Sequence, residues 1–262
     1  MKNIGLYLHI PFCKSKCPYC DFYSFSGKDT QKDEYTSVLK DKILSSISTL
    51  QCKGDTLYIG GGTPSVLGAK NLEILVNACN SGFLTDNAEI TVECNPYGLD
   101  EDFFKTLQDC GVNRLSFGLQ SAIDSERRIL GRLSDRNQVE NTVKTAQKVG
   151  FENITLDVML GVPNQTEKSL NETLDFCVSL GVPHISAYML KLEENTHFYK
   201  NQDKYNFPDD DLTADLYLQM CETLENQGIM QYEISNFAKK GFESRHNLKY
   251  WHCEEYFGIG PS

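Results

Sequence analysis

Four segments of the chain repeat one pattern of apolar and polar positions. In each, an amphipathic run ends at a glycine, and a short apolar stretch follows; the four glycines are Gly111, Gly150, Gly181 and Gly228. A glycine just past a helix takes up the left-handed conformation that ends the helix, and the next apolar residue packs back on the last turn. The pattern predicts four helix-then-strand units, and the last of them has its strand over residues 232–234.

The run that precedes Gly111 carries its apolar residues at helical spacing. Phe103, Phe104 and Leu107 share one face there, as expected of a helix that packs on a core. Asp100 and Thr166 belong to the residue types that cap helix N-termini, so they predict two helix starts.

Earlier in the chain, three short apolar stretches predict strands over residues 6–10, 56–59 and 90–93, with a helix between the first two. Strand and helix then alternate about six times, which predicts parallel strands with right-handed crossovers. Six such units form either an open doubly wound sheet or a full or partial barrel, and periodicity leaves both open. The polar stretch 193–211 predicts a loop or a small insertion.

The composition narrows the classes of function. The chain has 262 residues, and its 25 basic and 36 acidic residues give a net charge of −11. We therefore expect no general nucleic-acid binding, which needs a basic surface. No apolar run approaches the length of a transmembrane helix, and the N-terminus is too short and too polar for a secretory signal. These features predict a cytoplasmic protein.

Three of the ten cysteines stand close together, at Cys13, Cys17 and Cys20. In a chain without a secretory signal, such spacing indicates a metal or catalytic role rather than disulfides. Three thiolates suit an iron–sulfur cube with one iron left open, or a zinc site with His9 as the fourth ligand. Three unrelated cysteines in a loop are the structural alternative.

Further polar and glycine motifs follow the other predicted strands. Glycines occupy 60–62, and polar side chains come at Glu93, Gln120 and Asp157. Ligands of parallel α/β folds bind at the carboxyl ends of the strands. The sequence therefore predicts one composite site at that end of the sheet.

The cysteine spacing, with Tyr19 before the last cysteine, resembles the radical S-adenosylmethionine (SAM) superfamily. The stretches 7–13, 60–64, 93–96, 117–121 and 157–163 together resemble its oxygen-independent coproporphyrinogen III oxidase group. The resemblance implies an α/β fold, a partial (β/α)6 TIM-like barrel of the radical SAM type, with its core in residues 1–195. Residues 196–262 would complete the barrel with a helix and a strand and begin a C-terminal region.

The resemblance also implies the cofactors and their ligands. Cys13, Cys17 and Cys20 would each hold one iron of a [4Fe–4S] cluster, and the fourth iron would take SAM. The residues implied to contact SAM or line the cluster are Tyr7, Tyr19, Gly61, Gly62, Thr63, Glu93, Gln120, Arg132 and Asp157.

Each implied contact has a chemical reason and a plainer alternative. Gly61 and Gly62 let the backbone come close to the ligand, or form only a flexible turn. Glu93 suits ribose hydroxyls or an amine, or is a surface ion-pair partner. Arg132 offers a planar fork for a carboxylate, or is an ordinary surface arginine. Gln120 and Asp157 match polar residues that the oxidase group uses around a second SAM.

Two departures from the oxidase pattern point to one branch of the group. The oxidases carry a further cysteine where this chain has Phe22, and a long N-terminal extension precedes their tyrosine motif. Both departures, and the stretch His246-Asn247-Leu248-Lys249-Tyr250-Trp251, resemble the HemW-type haem chaperones. His246 would then be an axial haem ligand, and the alternative is a structural histidine that packs a terminal hairpin. Cys253 is a weaker candidate for haem ligation.

These observations predict a haem chaperone that uses a [4Fe–4S] cluster and SAM and passes haem to acceptor haem proteins. Self-association of the chaperone into a homodimer is a possibility that the sequence leaves open. The alternative is an enzyme, a coproporphyrinogen III oxidase that decarboxylates propionates through a 5′-deoxyadenosyl radical. A third hypothesis is a zinc-stabilised barrel without radical chemistry. The family continues beyond the last residue of this chain into a mainly helical domain, so we expect the C-terminal domain to be truncated.

Overall fold

The computed structural model describes residues 3–261 and contains one nine-stranded sheet. The strands are β1 (Asn3–Ile10), β2 (Lys53–Gly61), β3 (Leu84–Cys94), β4 (Arg114–Gln120), β5 (Ile154–Leu160), β6 (His184–Met189), β7 (Met230–Gln231), β8 (Asn236–Ala238) and β9 (Tyr256–Ile259). The helices are α1 (Asp29–Ile47), α2 (Ala69–Asn80), α3 (Glu101–Asp109), α4 (Asp124–Ile129), α5 (Arg136–Val149), α6 (Glu167–Ser179), α7 (His197–Lys200), α8 (Asp210–Asn226) and α9 (Arg245–Trp251).

The sheet is a partial (β/α)6 barrel. Its strand order is β7-β8-β6-β5-β4-β3-β2-β1-β9, and β1 to β6 are parallel and lie in the order of the chain. A doubly wound sheet needs a reversal of strand order, and none occurs among these six. Right-handed crossovers in one unbroken direction put the helices on one face of the sheet, and the sheet curls with that face outward. This resolves the alternative that periodicity left open and confirms the predicted barrel.

The two faces of the sheet differ in chemistry. The face towards the helices is apolar, and in β1 it consists of Ile4, Leu6, Leu8 and Ile10, all buried. The inner face is polar or glycine at nearly every second position of β1 to β6. Its members include Gly5, Tyr7, His9, Thr56, Tyr58, Thr91, Glu93, Arg114, Ser116, Thr155, Asp157, His184 and Ser186. The barrel therefore has an apolar shell and a polar interior.

Most local predictions are confirmed. Asp100 and Thr166 cap α3 and α6, because their side chains accept hydrogen bonds from the backbone N–H groups of Phe103 and Ser169. All four repeat glycines have positive φ, between 68° at Gly181 and 119° at Gly150.

The predicted strand over residues 232–234 is wrong. These residues form the bend between β7 and β8, where the Glu233 carboxylate accepts hydrogen bonds from the Ser235 N–H and the Asn236 side-chain amide. The side chain thus satisfies backbone and amide donors of the bend, which favours a turn over a ladder at this point.

Residues 196–261 contribute to both edges of the sheet. β8 pairs antiparallel with β6 at one edge, and β9 pairs parallel with β1 at the other. The predicted boundary at residue 195 stays a prediction. No helix in the described part of the chain is long and apolar enough to span a membrane.

Candidate functional site

The three clustered cysteines lie in one loop at the end of the barrel where β1 to β6 finish, which we call the mouth. The loop is closed by backbone pairing: the Phe25 N–H donates to Pro11 O at 2.8 Å, and the Cys13 N–H donates to Phe25 O at 3.0 Å. A tight turn brings the Cys20 N–H to 3.2 Å from Cys17 O. All three thiols are partly exposed, free and on the wall of one cavity of about 880 Å³.

The glycine run after β2 packs directly beside this loop. The Gly62 and Thr63 N–H groups donate to Ile10 O and Phe12 O at 2.7 and 2.8 Å. A Cβ atom at Gly62 would lie 2.7 Å from Phe12 O and 3.1 Å from Cys13 Sγ, closer than side chains approach. Gly62 is thus required by close packing rather than by flexibility, and it brings Thr63 Oγ1 to 3.6 Å from Cys13 Sγ.

Two half-buried carboxylates form the base of the cavity. Glu93 accepts hydrogen bonds from the Tyr58 hydroxyl at 2.8 Å and the Gly61 N–H at 3.2 Å, and Asp157 accepts one from the Ser116 hydroxyl at 3.0 Å. Burial, with the charge of Asp157 second, raises the pKa of Glu93 to about 7. Burial raises the pKa of Asp157 to about 6. Glu93 is therefore not a surface ion-pair partner.

Arg132 reaches over the cavity towards the cysteine loop. Its Nη2 donates to Gly118 O at 2.7 Å, its Nη1 lies 3.9 Å from Cys17 Sγ, and its buried Nε has no partner in the described residues. Gln120 lines the same cavity with a positive φ of 70°. Tyr19 also lines it, and packs with its ring 6.4 Å from that of Phe198.

The cavity fits the group that its residues predict. Three free thiols converge on it, Gly62 leaves room that a Cβ would fill, and two buried polar atoms on its wall, Asn95 Oδ1 and Arg132 Nε, lack partners in the described residues. These donors suit an iron–sulfur cluster and a polar ligand with an amine, a carboxylate and hydroxyls.

The zinc alternative does not fit as well. Both ring nitrogens of its expected fourth ligand, His9, are engaged: Nε2 donates to Tyr23 O at 2.9 Å, and Nδ1 accepts from the Tyr7 hydroxyl at 3.2 Å.

Two predicted residues lie outside this cavity. Tyr7 lies deeper in the barrel, with its ring 6.3 Å from Tyr58 and 6.5 Å from His246. His246 lies on α9, which closes the opposite end, where the strands begin; we call this end the floor. The structure thus separates Tyr7 and His246 from the mouth residues.

His246 is buried and held on both sides. Its Nδ1 is 2.8 Å from Thr56 Oγ1, its Nε2 is 2.9 Å from the Tyr250 hydroxyl, and its backbone N–H donates to Glu89 at 3.0 Å. Burial, and after it the charges of Lys249 and Arg114, lowers the pKa of His246 to about 3. The ring is therefore neutral, and it packs a helix rather than the terminal hairpin that the alternative supposed.

Exposed aromatic rings lie directly outside His246. Tyr250 is 42% exposed, Trp251 52% and Tyr256 52%, and the rings of Tyr250 and Tyr256 stand edge to face at 4.9 Å. Tyr250 alone bonds the outer nitrogen of His246. We call these three residues the aromatic face of the floor.

Sequence reasoning missed Tyr58, Ser116 and Arg114, which hold or face the two carboxylates. The signal that marks them is the alternation of polar or glycine residues with apolar ones, as in Thr56-Leu57-Tyr58 of β2. In a barrel this alternation places every second side chain inside.

Comparisons with known proteins agree with this geometry. The model of the radical SAM superfamily matches residues 7–177. The protein described as heme chaperone HemW of Bacillus subtilis is 40% identical over 97% of the chain, and that of Escherichia coli is 36% identical over 98%. In both cases the chain covers 68% of the relative.

A solved structure described as coproporphyrinogen III oxidase (HemN) from Escherichia coli superposes with a TM-score of 0.86. It is 23% identical over 99% of the chain, and the chain spans 64% of its length. At this identity the likeness shows the fold.

Proposed function

The chain belongs to the radical SAM superfamily and, within it, to the HemW-type haem chaperone family, and from this premise we propose that it uses a [4Fe–4S] cluster and SAM at its mouth and carries haem at its floor to acceptor proteins. One observation carries the proposal: the barrel presents three free thiols at one end and a neutral imidazole behind exposed aromatic rings at the other.

At the mouth, Cys13, Cys17 and Cys20 would hold three irons of the cluster. When bound, the cluster supplies the electron that cleaves the sulfonium of SAM. Around it, the chain's own groups bind and orient: the Gly61–Thr63 backbone comes close, Arg132 Nε offers a donor to a carboxylate, and Glu93 accepts from hydroxyls or an amine.

The remaining predicted contacts act at two depths of the barrel. Tyr19 shields the cysteine loop from water on the Phe198 side, and Gln120 and Asp157 supply polar groups farther into the cavity. Tyr7 acts through a neighbour, because its hydroxyl donates to His9 and so fixes the ring that Gly61 covers.

At the floor, we infer that haem docks on the aromatic face and that His246 becomes an axial ligand. Neutral imidazole is the form that binds iron, and burial keeps His246 neutral. Tyr250 would have to leave Nε2, so haem uptake needs a local rearrangement of α9. Cys253 is exposed two residues beyond Trp251, and its part in ligation stays a prediction.

The oxidase alternative has the shared barrel in its favour. Against it, Phe22 stands at the mouth where the oxidases carry a further cysteine, and its ring is 70% exposed beside the cavity. The chaperone assignment also rests on relatives that are 33–40% identical across nearly the whole chain.

The test is one anaerobic preparation used in two assays. Reconstituted protein is mixed with SAM, a low-potential reductant and coproporphyrinogen III, and the tetrapyrrole is analysed by mass spectrometry. The same protein, loaded with ferric haem, is mixed with apomyoglobin as a probe acceptor. We expect unchanged tetrapyrrole and transferred haem, whereas a decarboxylated tetrapyrrole without haem binding would make the protein an oxidase.

Partners and location belong to the same proposal. Acceptor haem proteins follow from delivery of haem, and we propose the cytoplasm as the site of action. Self-association into a homodimer is read by light scattering with and without haem.

A further inference from the structure

The polar interior between mouth and floor contains one buried arginine. Arg114, on the inner face of β4, is 1% exposed. Its Nη2 donates to Thr155 Oγ1 at 2.6 Å, and its Nε has no partner in the described residues. None of the ion pairs found between residues 3 and 261 involves Arg114. A buried guanidinium without a contacting carboxylate is unusual and calls for a countercharge nearby.

The two half-buried carboxylates lie one step above it. Ser116 follows Arg114 by two residues on the same strand, so both point inside. Ser116 lies opposite Glu93 in the β3–β4 register and donates to Asp157 at 3.0 Å. On β5 the register partner of Ser116 is Thr155, and Asp157 lies two residues farther along. We call Glu93, Ser116 and Asp157 the carboxylate row, and Arg114 is the inward-facing residue that precedes Ser116 on β4.

The other ionisable groups that face this row are few. Tyr7, Tyr58 and Tyr188 face it from β1, β2 and β6, and Arg132 faces Asp157 from the loop after α4. The charge of Arg114 is the one that acts favourably on both carboxylates.

We propose that Arg114 is a positioning residue of the mouth: its buried charge keeps Glu93 and Asp157 in the carboxylate form and thereby sets the affinity for SAM. The inference rests on the proposed function, because it takes SAM as the ligand of the cavity. A carboxylate accepts hydrogen bonds from hydroxyls or an ammonium group, whereas a protonated acid places its own proton where those donors arrive.

The direction of the effect follows from burial. The two carboxyl groups are partly removed from water and lie close to one another, which favours the neutral form, and burial raises the pKa of Glu93 and of Asp157. The charge of Arg114 lowers both pKa values, so its loss raises them further and leaves more of each group protonated at pH 7. Binding of SAM then weakens at pH 7 and returns as the pH rises towards 9.

The experiment measures SAM affinity of the cluster-loaded protein by equilibrium dialysis between pH 6 and 9. For Arg114→Met we expect about tenfold weaker binding at pH 7 that recovers by pH 9. Arg114→Lys keeps the charge and should stay near the native affinity, and Arg128→Met, at an exposed position on α4, is the control. Native affinity of Arg114→Met at pH 7, or a loss that high pH does not restore, overturns the inference.

A second readout needs neither SAM nor a foldable Arg114→Met. Infrared spectra of the native protein follow the carbonyl band of protonated carboxyl groups, and Glu93→Gln identifies the contribution of Glu93. We expect that contribution to vanish by pH 8, and its persistence above pH 8 overturns the inference. A native protein that binds no SAM at any pH contradicts the proposed function instead, and the infrared result still shows whether Glu93 is ionised beside Arg114.

Discussion

The mouth and the floor of the barrel are built from the same strands, yet they treat their polar groups in opposite ways. At the mouth, three thiols free of disulfides line a cavity, and two polar atoms on its wall, Asn95 Oδ1 and Arg132 Nε, have no hydrogen-bond partner in the described residues. At the floor, both ring nitrogens of His246 are bonded, and Lys249 bridges Asp55 and Glu254.

The difference indicates when each ligand is accommodated. Unpartnered buried groups cost stability unless a ligand satisfies them, so the mouth is formed in advance for its cofactors. The floor already satisfies its own groups, and a ligand there has to displace protein hydrogen bonds. We therefore expect tight, preorganised cofactor binding at one end and reversible cargo binding at the other, as carriage of haem requires.

The largest expected effect is the loss of cluster binding at the mouth, without a change at the floor. Cys17→Ala removes one of three cluster ligands, so iron and sulfide after anaerobic reconstitution should fall to background, while haem binding at the floor stays. Cys253→Ser is the control, because Cys253 is also free and exposed but lies at the floor. Full iron content in Cys17→Ala would remove this cysteine from the cluster.

The next largest effect is the loss of haem binding at the floor, without a change at the mouth. His246→Ala should weaken haem binding about 100-fold, since the axial ligand is lost, and destabilise the fold by about 2–4 kcal/mol, because Thr56 and Tyr250 lose a partner and a cavity remains. SAM affinity should not change. Haem titration measures the haem affinity, dialysis measures the SAM affinity, and denaturant unfolding measures the free energy of unfolding.

The control for this variant is His252→Ala, whose side chain is 62% exposed. Native haem affinity in folded His246→Ala would show that the cargo binds elsewhere.

The third prediction concerns the mouth and the pH dependence of the free energy of unfolding that Glu93 causes there. The pKa of Glu93 is raised from 4.5 to about 7, so its protonated form stabilises the SAM-free fold at low pH, and this stabilisation is lost as the pH rises through 7. Glu93→Gln keeps a neutral group at all pH values. Its free energy of unfolding relative to the native protein should rise by about 3 kcal/mol between pH 4.5 and 7.5. A difference that is flat with pH would contradict the buried acid.

The smallest expected effect comes from one methyl group. Gly62→Ala places a Cβ against Phe12 O and Cys13 Sγ, so the cysteine loop must shift, and SAM affinity should fall about tenfold. Gly258→Ala is the matched control, because no atom lies within 4 Å of its added Cβ. Equal affinities of the two variants would mean that the loop tolerates the methyl group.

Much of the fold could be predicted from local signals. The caps at Asp100 and Thr166 and the left-handed glycines act within a few residues, so the sequence displays them directly. The strand predicted over residues 232–234 was wrong. The apolar alternation there is typical of a strand, but the side chain of Glu233 accepts a hydrogen bond from the Ser235 N–H and stabilises a bend instead.

The residues that line the cavity were largely predicted, but the side chains that hold its two carboxylates were not. Cysteines and glycines at strand ends carry recognisable spacing, whereas Arg114 and Tyr58 matter through neighbours on other strands that only the register reveals. The sequence also could not indicate that His246 lies at the opposite end from the cysteines, because that follows from how α9 closes the barrel.

The most direct test of the two-ended account is hydrogen exchange by mass spectrometry on the cluster-loaded protein, with SAM and with ferric haem in separate samples. The account predicts that SAM slows exchange at residues 60–63, 93–95 and 118–120, and that haem changes exchange only within residues 245–257. Protection of the mouth segments by haem, with α9 unchanged, would contradict it.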